Sequence, residues 1–150
     1  MAELRLRADQ PYAEAGRQVL AVRSDGLFGH IAGVLDIEQP EHVHKMRVAT
    51  RRLRAALEVF ALAFPRKQLR PALAEVKALA AALGERRDCD VQLELLGRLR
   101  QDAGRSERIA IDALAAELVR EQRVANDNLA KALAHAEHAK LERRLRRLAQ

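Results

Sequence analysis

His42-Val43-His44-Lys45-Met46-Arg47-Val48-Ala49-Thr50-Arg51-Arg52-Leu53-Arg54 carries five permanent cations and two histidines without one acidic side chain. Set on a helix at 100° per residue, His44, Arg47, Arg51 and Arg54 fall within an arc of about 80°. Met46, Ala49, Leu53, Leu57 and Phe60 gather on the opposite side. One face is cationic and the other apolar, so the segment reads as an amphipathic helix that packs inward and presents its outer surface to anions.

The charge of the whole chain points to the same place. Lys and Arg number 27 against 21 Asp and Glu, a net charge of +6; without Lys45, Arg47, Arg51, Arg52 and Arg54 the balance is 22 against 21, or +1. Cations three and four residues apart repeat about every 5 to 6 Å along a helix face, a ladder suited to a multiply charged ligand. No acid interrupts the run until Glu58. Like charges stacked at this spacing cost stability unless something binds them.

Working outward, the rest of the chain is built from helix formers. Hydrophobic residues make up 49% of it, mostly Ala, Leu and Val, while aromatics are 3% and Trp is absent. Alanine and leucine favour helix, and 150 residues suffice for one domain with one core. The expectation is an all-α fold, an antiparallel helical bundle of about five or six helices, with residues 1–10 as an N-terminal leader and 11–150 as a single helical domain.

Helix boundaries follow from prolines, glycines and periodicity. Pro11 opens a first helix that keeps its apolar period to about Asp36, with Ser24-Asp25-Gly26 as a weak point. Glu38-Gln39-Pro40 interrupts it. The basic helix runs from Pro40 to Phe64, where Pro65 closes it. A third helix from Arg66 buries Leu69, Val76, Leu79 and Leu83 and stops at Gly84. Asp88 then caps a fourth, carrying Val91, Leu93, Leu95, Leu96 and Leu99 as far as Gly104. The longest follows, from Arg105 to Ala136. Leu141, Leu145 and Leu148 stripe the last segment, either a docking helix or a loosely held tail.

Several function classes find no support. There is no glycine-rich phosphate loop, nucleophile elbow or zinc-protease motif, so no catalytic residue is assigned and the protein reads as a non-enzyme. No cofactor or metal is expected: His42 and His44 would point about 200° apart on a helix, and His135/His138 and Asp88/Asp90 read as structural. Cys89 is alone, which gives no disulfide framework. No secretory h-region and no membrane-length apolar run occurs, so the reading is cytoplasmic, without a membrane span.

His44-Lys45-Met46-Arg47-Val48-Ala49-Thr50-Arg51-Arg52-Leu53-Arg54, followed by Leu83-Gly84-Glu85-Arg86-Arg87-Asp88-Cys89-Asp90-Val91, resembles the CHAD family, the conserved histidine α-helical domains. The resemblance implies a helical domain that binds inorganic polyphosphate through a basic surface. It also implies association with a triphosphatase-type enzyme or with polyphosphate granules. The family's histidine carries over to His44, its motif arginines to Arg47, Arg51, Arg52 and Arg54, its later basic residue to Lys77, and its Arg-Asp pair to Arg87 and Asp88. Members usually contain two similar halves about a pseudo-twofold axis, and this chain resembles one half of a CHAD domain, the first. Twofold pairing is the commonest oligomeric arrangement, so a homodimer is the expected way to juxtapose two basic helices.

The residues themselves rank the contributors. Arg70 and Lys77 extend the cationic surface more convincingly than Arg66 and Lys67. Arg87 has two readings, reaching phosphate or pairing with Asp88 or Asp90, whose own expected roles are capping and helix-dipole stabilisation. Nucleic acid is the alternative polyanion, but the aromatic platforms of single-strand binders are missing. A third reading is an interaction scaffold using the Arg143 to Arg147 run.

Overall fold

The computed structural model describes residues 4–150; of the leader expected over residues 1–10, residues 1–3 lie outside the described part. The described residues form five α-helices and one short 3-10 turn, with no strand and 81% helix. These are α1 (Tyr12–Phe28), α2 (Pro40–Val59), the 3-10 turn Ala61–Ala63, α3 (Arg66–Asp102), α4 (Arg105–His138) and α5 (Leu141–Leu148). The all-α bundle read from composition is what forms. Among the described residues no helix is long and apolar enough to cross a membrane.

α2 lies between α1 and α3, α3 and α4 form a long hairpin, and α5 packs against α1, α3 and α4. The core gathers Leu20 and Leu27 of α1, Val43, Met46, Leu53 and Leu57 of α2, Leu69, Val76, Leu79 and Leu83 of α3, and Leu129 of α4. Leu141, Leu145 and Leu148 join it, while Arg143, Arg144, Arg146 and Arg147 face solvent. The last segment is therefore a docked helix rather than a tail. Apolar residues at i, i+4 and i+7 leave the four arginines together on the outer side.

Besides the end of α2, which falls at Val59 rather than Phe64 with the 3-10 turn Ala61–Ala63 completing the segment, two helix boundaries differ from the sequence expectation. α1 ends at Phe28, not Asp36, because residues 29–39 turn back to bring α2 alongside α1. At Gly33 φ is +79° and the His42 ring lies 3.2 Å from where a Cβ would be, a left-handed, crowded position that only glycine fills easily. Of the apolar period expected to continue through Val34, Val34 is buried, 1% exposed, from a turn rather than a helix, while Ile31 stays 42% exposed.

The second difference is larger. Gly84 does not stop α3, which runs unbroken for 37 residues to Asp102, and Asp88 is an exposed mid-helix residue rather than a cap. A helical glycine costs about 1 kcal/mol relative to alanine, and the pairing of α3 with α4 outweighs it. Leu93 and Leu96 are half-buried, but Val91, Leu95 and Leu99 stay 42%, 47% and 53% exposed. They fall on the opposite side of the helix from the buried Arg86, Cys89 and Asp90.

Candidate anion-binding surface

The cations of α2 divide into two rows, one on each flank of the helix. Arg47, Arg51 and Arg54 lie at i, i+4 and i+7, and Glu58 continues the row by one more turn. Arg54 donates from Nε to Glu58 Oε1 at 3.0 Å, and Lys77 of α3 approaches the same oxygen at 3.2 Å. This row therefore borders α3.

The Glu58 bridge corrects the expectation that the row lacks countercharge, because Arg54 and Lys77 are both partly neutralised. The Arg54 hydrogen bond, opposed by desolvation and reinforced by Lys77, holds the Glu58 carboxyl below the ordinary glutamate range. The small stability it contributes is thus present above the unfolded titration and lost as pH falls through the lowered folded one. Glu58→Gln is expected to raise polyanion affinity at neutral pH severalfold, about three- to tenfold, by releasing two cations. Fluorescence anisotropy with a labelled polyanion checks this, and a weaker variant would show that the bridge positions the cations instead.

His44, Arg47, Arg51 and Arg52 make no ion pair and no side-chain hydrogen bond among the described residues. Arg51 and Arg52 are exposed, whereas His44 and Arg47 are half-buried. Along the other flank His44, Lys45 and Arg52 line a cleft of about 770 Å³ between α2 and the end of α1. Arg23 of α1 and His30 just beyond it face the same cleft, with Asp25 and Glu41 as its acids.

Arg23 and His30 were absent from the sequence-derived set, since neither belongs to a charge run. Only the packing of α1 against α2 brings them beside residues about twenty positions later. On α3, Arg70 and Lys77 are two turns apart on one exposed edge, about 10 Å along the axis. Gly84 is two turns further, and a Cβ there would meet nothing within 4 Å. Arg87 is half-buried and unpaired.

Of the two readings of Arg87, pairing with Asp88 or Asp90 does not occur among the described residues, and Asp90 is held by Arg86 instead. Both are buried: Arg86 Nη1 bonds Asp90 Oδ1, Arg86 Nε donates to Asn126 Oδ1 at 3.2 Å, and Gln122 Nε2 donates to Asp90 Oδ1 at 2.7 Å. Asp90 thus acts in a buried network rather than at a helix end. His135 of α4 lies 3.3 Å from Glu75, and no group of three or more His, Cys, Asp or Glu among the described residues is placed to hold a metal ion.

Taken together, α2 carries one arginine row toward α3 and one histidine-lined cleft toward α1, with His44 angularly between them. Unpaired guanidinium groups offer forked, charge-assisted donors that match phosphate oxygens. Among comparisons with known proteins, the family model described as the CHAD domain matches residues 18–150. No curated protein and no solved structure matches the chain.

Proposed function

The chain belongs to the CHAD family, and from that premise we propose that it binds inorganic polyphosphate, without catalysis, along the surface of α2. CHAD domains are associated in general with polyphosphate binding. The observation that carries the reading for this chain is the unpaired set His44, Arg47, Arg51 and Arg52 on a single helix. Arg54, Lys77, Arg70 and Arg87 extend it at the α3 side, and Arg23 and His30 at the α1 side.

The chemistry favours holding over turnover. A row of cations binds the polymer before and after any bond cleavage alike, and uniform binding does not accelerate a reaction. Such a module sequesters the polymer, sits at a granule, or presents the chain to a triphosphatase-type partner. In the same reading two copies pair so that two α2 surfaces adjoin. The exposed Val91, Leu95 and Leu99 row on the far part of α3 offers an apolar contact for self-association, and Leu95→Glu is expected to convert a light-scattering dimer that uses it to a monomer; a wild-type monomer that binds tightly removes the pairing.

Titration of the protein with polyphosphate at about 50 and 200 mM salt tests the function. Each phosphate contact releases counterions, so affinity should drop by one order of magnitude or more between the two. Short RNA competes as the alternative polyanion. If RNA displaces polyphosphate at equal phosphate concentration, the nucleic-acid reading replaces this one.

A further inference from the structure

A second cavity, of about 730 Å³, lies between the ends of α1 and α4 and the start of α5, with one residue of α2 and one of α3 in its floor. Its floor is Met46, Leu79 and Leu141, each 2% exposed or less, with Phe28 and Leu133 above them. Met46 belongs to the inner face of α2, so this cavity opens on the other side of that helix from the arginine rows. Its size falls within the range that holds drug-sized ligands, and an apolar lining with a few polar groups is the usual make-up of such sites.

The rim is charged in a defined way. Arg146 and Glu142 satisfy one another at 2.6 Å. Lys140, Arg143 and Glu137 line the rim without any ion pair, which leaves one net positive charge over an apolar floor. Lys140 also stands at φ +55°, ψ +43°, between α4 and α5. That left-handed position after a helix end is filled most readily by glycine. A lysine placed there carries a backbone cost that the docking of α5 and the Lys140 N–H bond to the Glu137 carbonyl, 2.8 Å, help to offset, and it sets the ammonium on the cavity rim.

We infer that this cavity binds a small amphiphile, a single apolar chain or ring system bearing one anionic group, with the apolar part on Met46, Leu79 and Leu133 and the anion between Lys140 and Arg143. The ligand chemistry is that of a free long-chain carboxylate. One net cation matches one anion, and the buried floor of Met46, Leu79 and Leu141 removes an apolar chain from water. A polyphosphate chain does not fit this chemistry, so the two sites are independent.

Isothermal titration with dodecanoate below its micellar concentration tests the proposal on the full chain. Saturable one-to-one binding is expected, with dodecyltrimethylammonium at least tenfold weaker. Ala134→Trp places an indole at the cavity wall and is expected to weaken dodecanoate at least tenfold without changing polyphosphate affinity. Lys140→Gly is expected to weaken dodecanoate severalfold while its thermal midpoint stays level or rises, an opposite movement that a purely structural lysine would not give. No saturable binding, equal binding of the cationic amphiphile, undiminished dodecanoate binding in folded Ala134→Trp or in Lys140→Gly, or attachment to anionic phosphatidylglycerol vesicles without dodecanoate binding would each overturn it.

Discussion

Alanine at Arg47, Arg51 and Arg52 together is expected to lower polyphosphate affinity about a hundred- to a thousandfold at low salt while the thermal midpoint holds. All three guanidinium groups are unpaired, so their removal breaks no internal bridge. Arg51 and Arg52 are exposed, and alanine is the better helix former. A hydrogen bond to a charged group contributes about 1.5 to 3 kcal/mol. Three such contacts discounted for exposure give about 3 to 4 kcal/mol, hence the expected range. The slope of log affinity against log salt should flatten by about two, since three fewer phosphates release counterions. Alanine at Arg123, Arg144 and Arg147, three exposed cations elsewhere, removes the same charge and is expected to cost less than tenfold. Equal losses in the two triple variants would make the attraction a matter of net charge and dismiss α2 as a site.

How much of this surface could be read in advance depended on whether the information was local. The cationic run, its amphipathic period and its proline boundary at Pro40 lie within one helix, and periodicity alone placed Arg47, Arg51 and Arg54 on a common row. Glu58 was visible as the first acid after the run. That its carboxylate would also meet Lys77 depends on the register between α2 and α3, which no local pattern encodes. Arg23 and His30 reach the cleft only through the packing of α1 on α2. Gly84 carried a stop signal in its residue type, but a partner helix running alongside supplies more stabilisation than one glycine removes. The same tertiary pairing buries Arg86 rather than Arg87, although the two are adjacent and chemically identical.

Arg86→Met is expected to destabilise the fold by about 3 to 5 kcal/mol, lowering the thermal midpoint by about 10 °C for a chain of this size. The Arg86 side chain is wholly buried and that of Asp90 is 1% exposed, so removing the cation strands a carboxylate where water cannot reach it. Its loss also frees Asn126 Oδ1, on a residue whose Nδ2 donates to the Leu35 carbonyl at 3.1 Å and so ties α4 to the turns preceding α2. Even with both partners present the network is incompletely satisfied, since Arg86 Nη2 and Asp90 Oδ2 have no hydrogen-bond partner among the described residues. A buried pair with orphaned atoms contributes little net stability, because desolvating two ions offsets most of their attraction. Adding Asp90→Leu to Arg86→Met should therefore recover much of the loss, although Gln122 then keeps one unsatisfied amide. Chemical denaturation of the two single variants and the double measures this directly. If the double variant stays as unstable as either single, the pair stabilises the hairpin in its own right, whereas a loss equal to the sum of the singles would show that Arg86 and Asp90 are not coupled. If the double variant approaches the wild type, the ion pair serves to fix which face of α3 meets α4, and with it the direction in which Lys77 and Arg87 point.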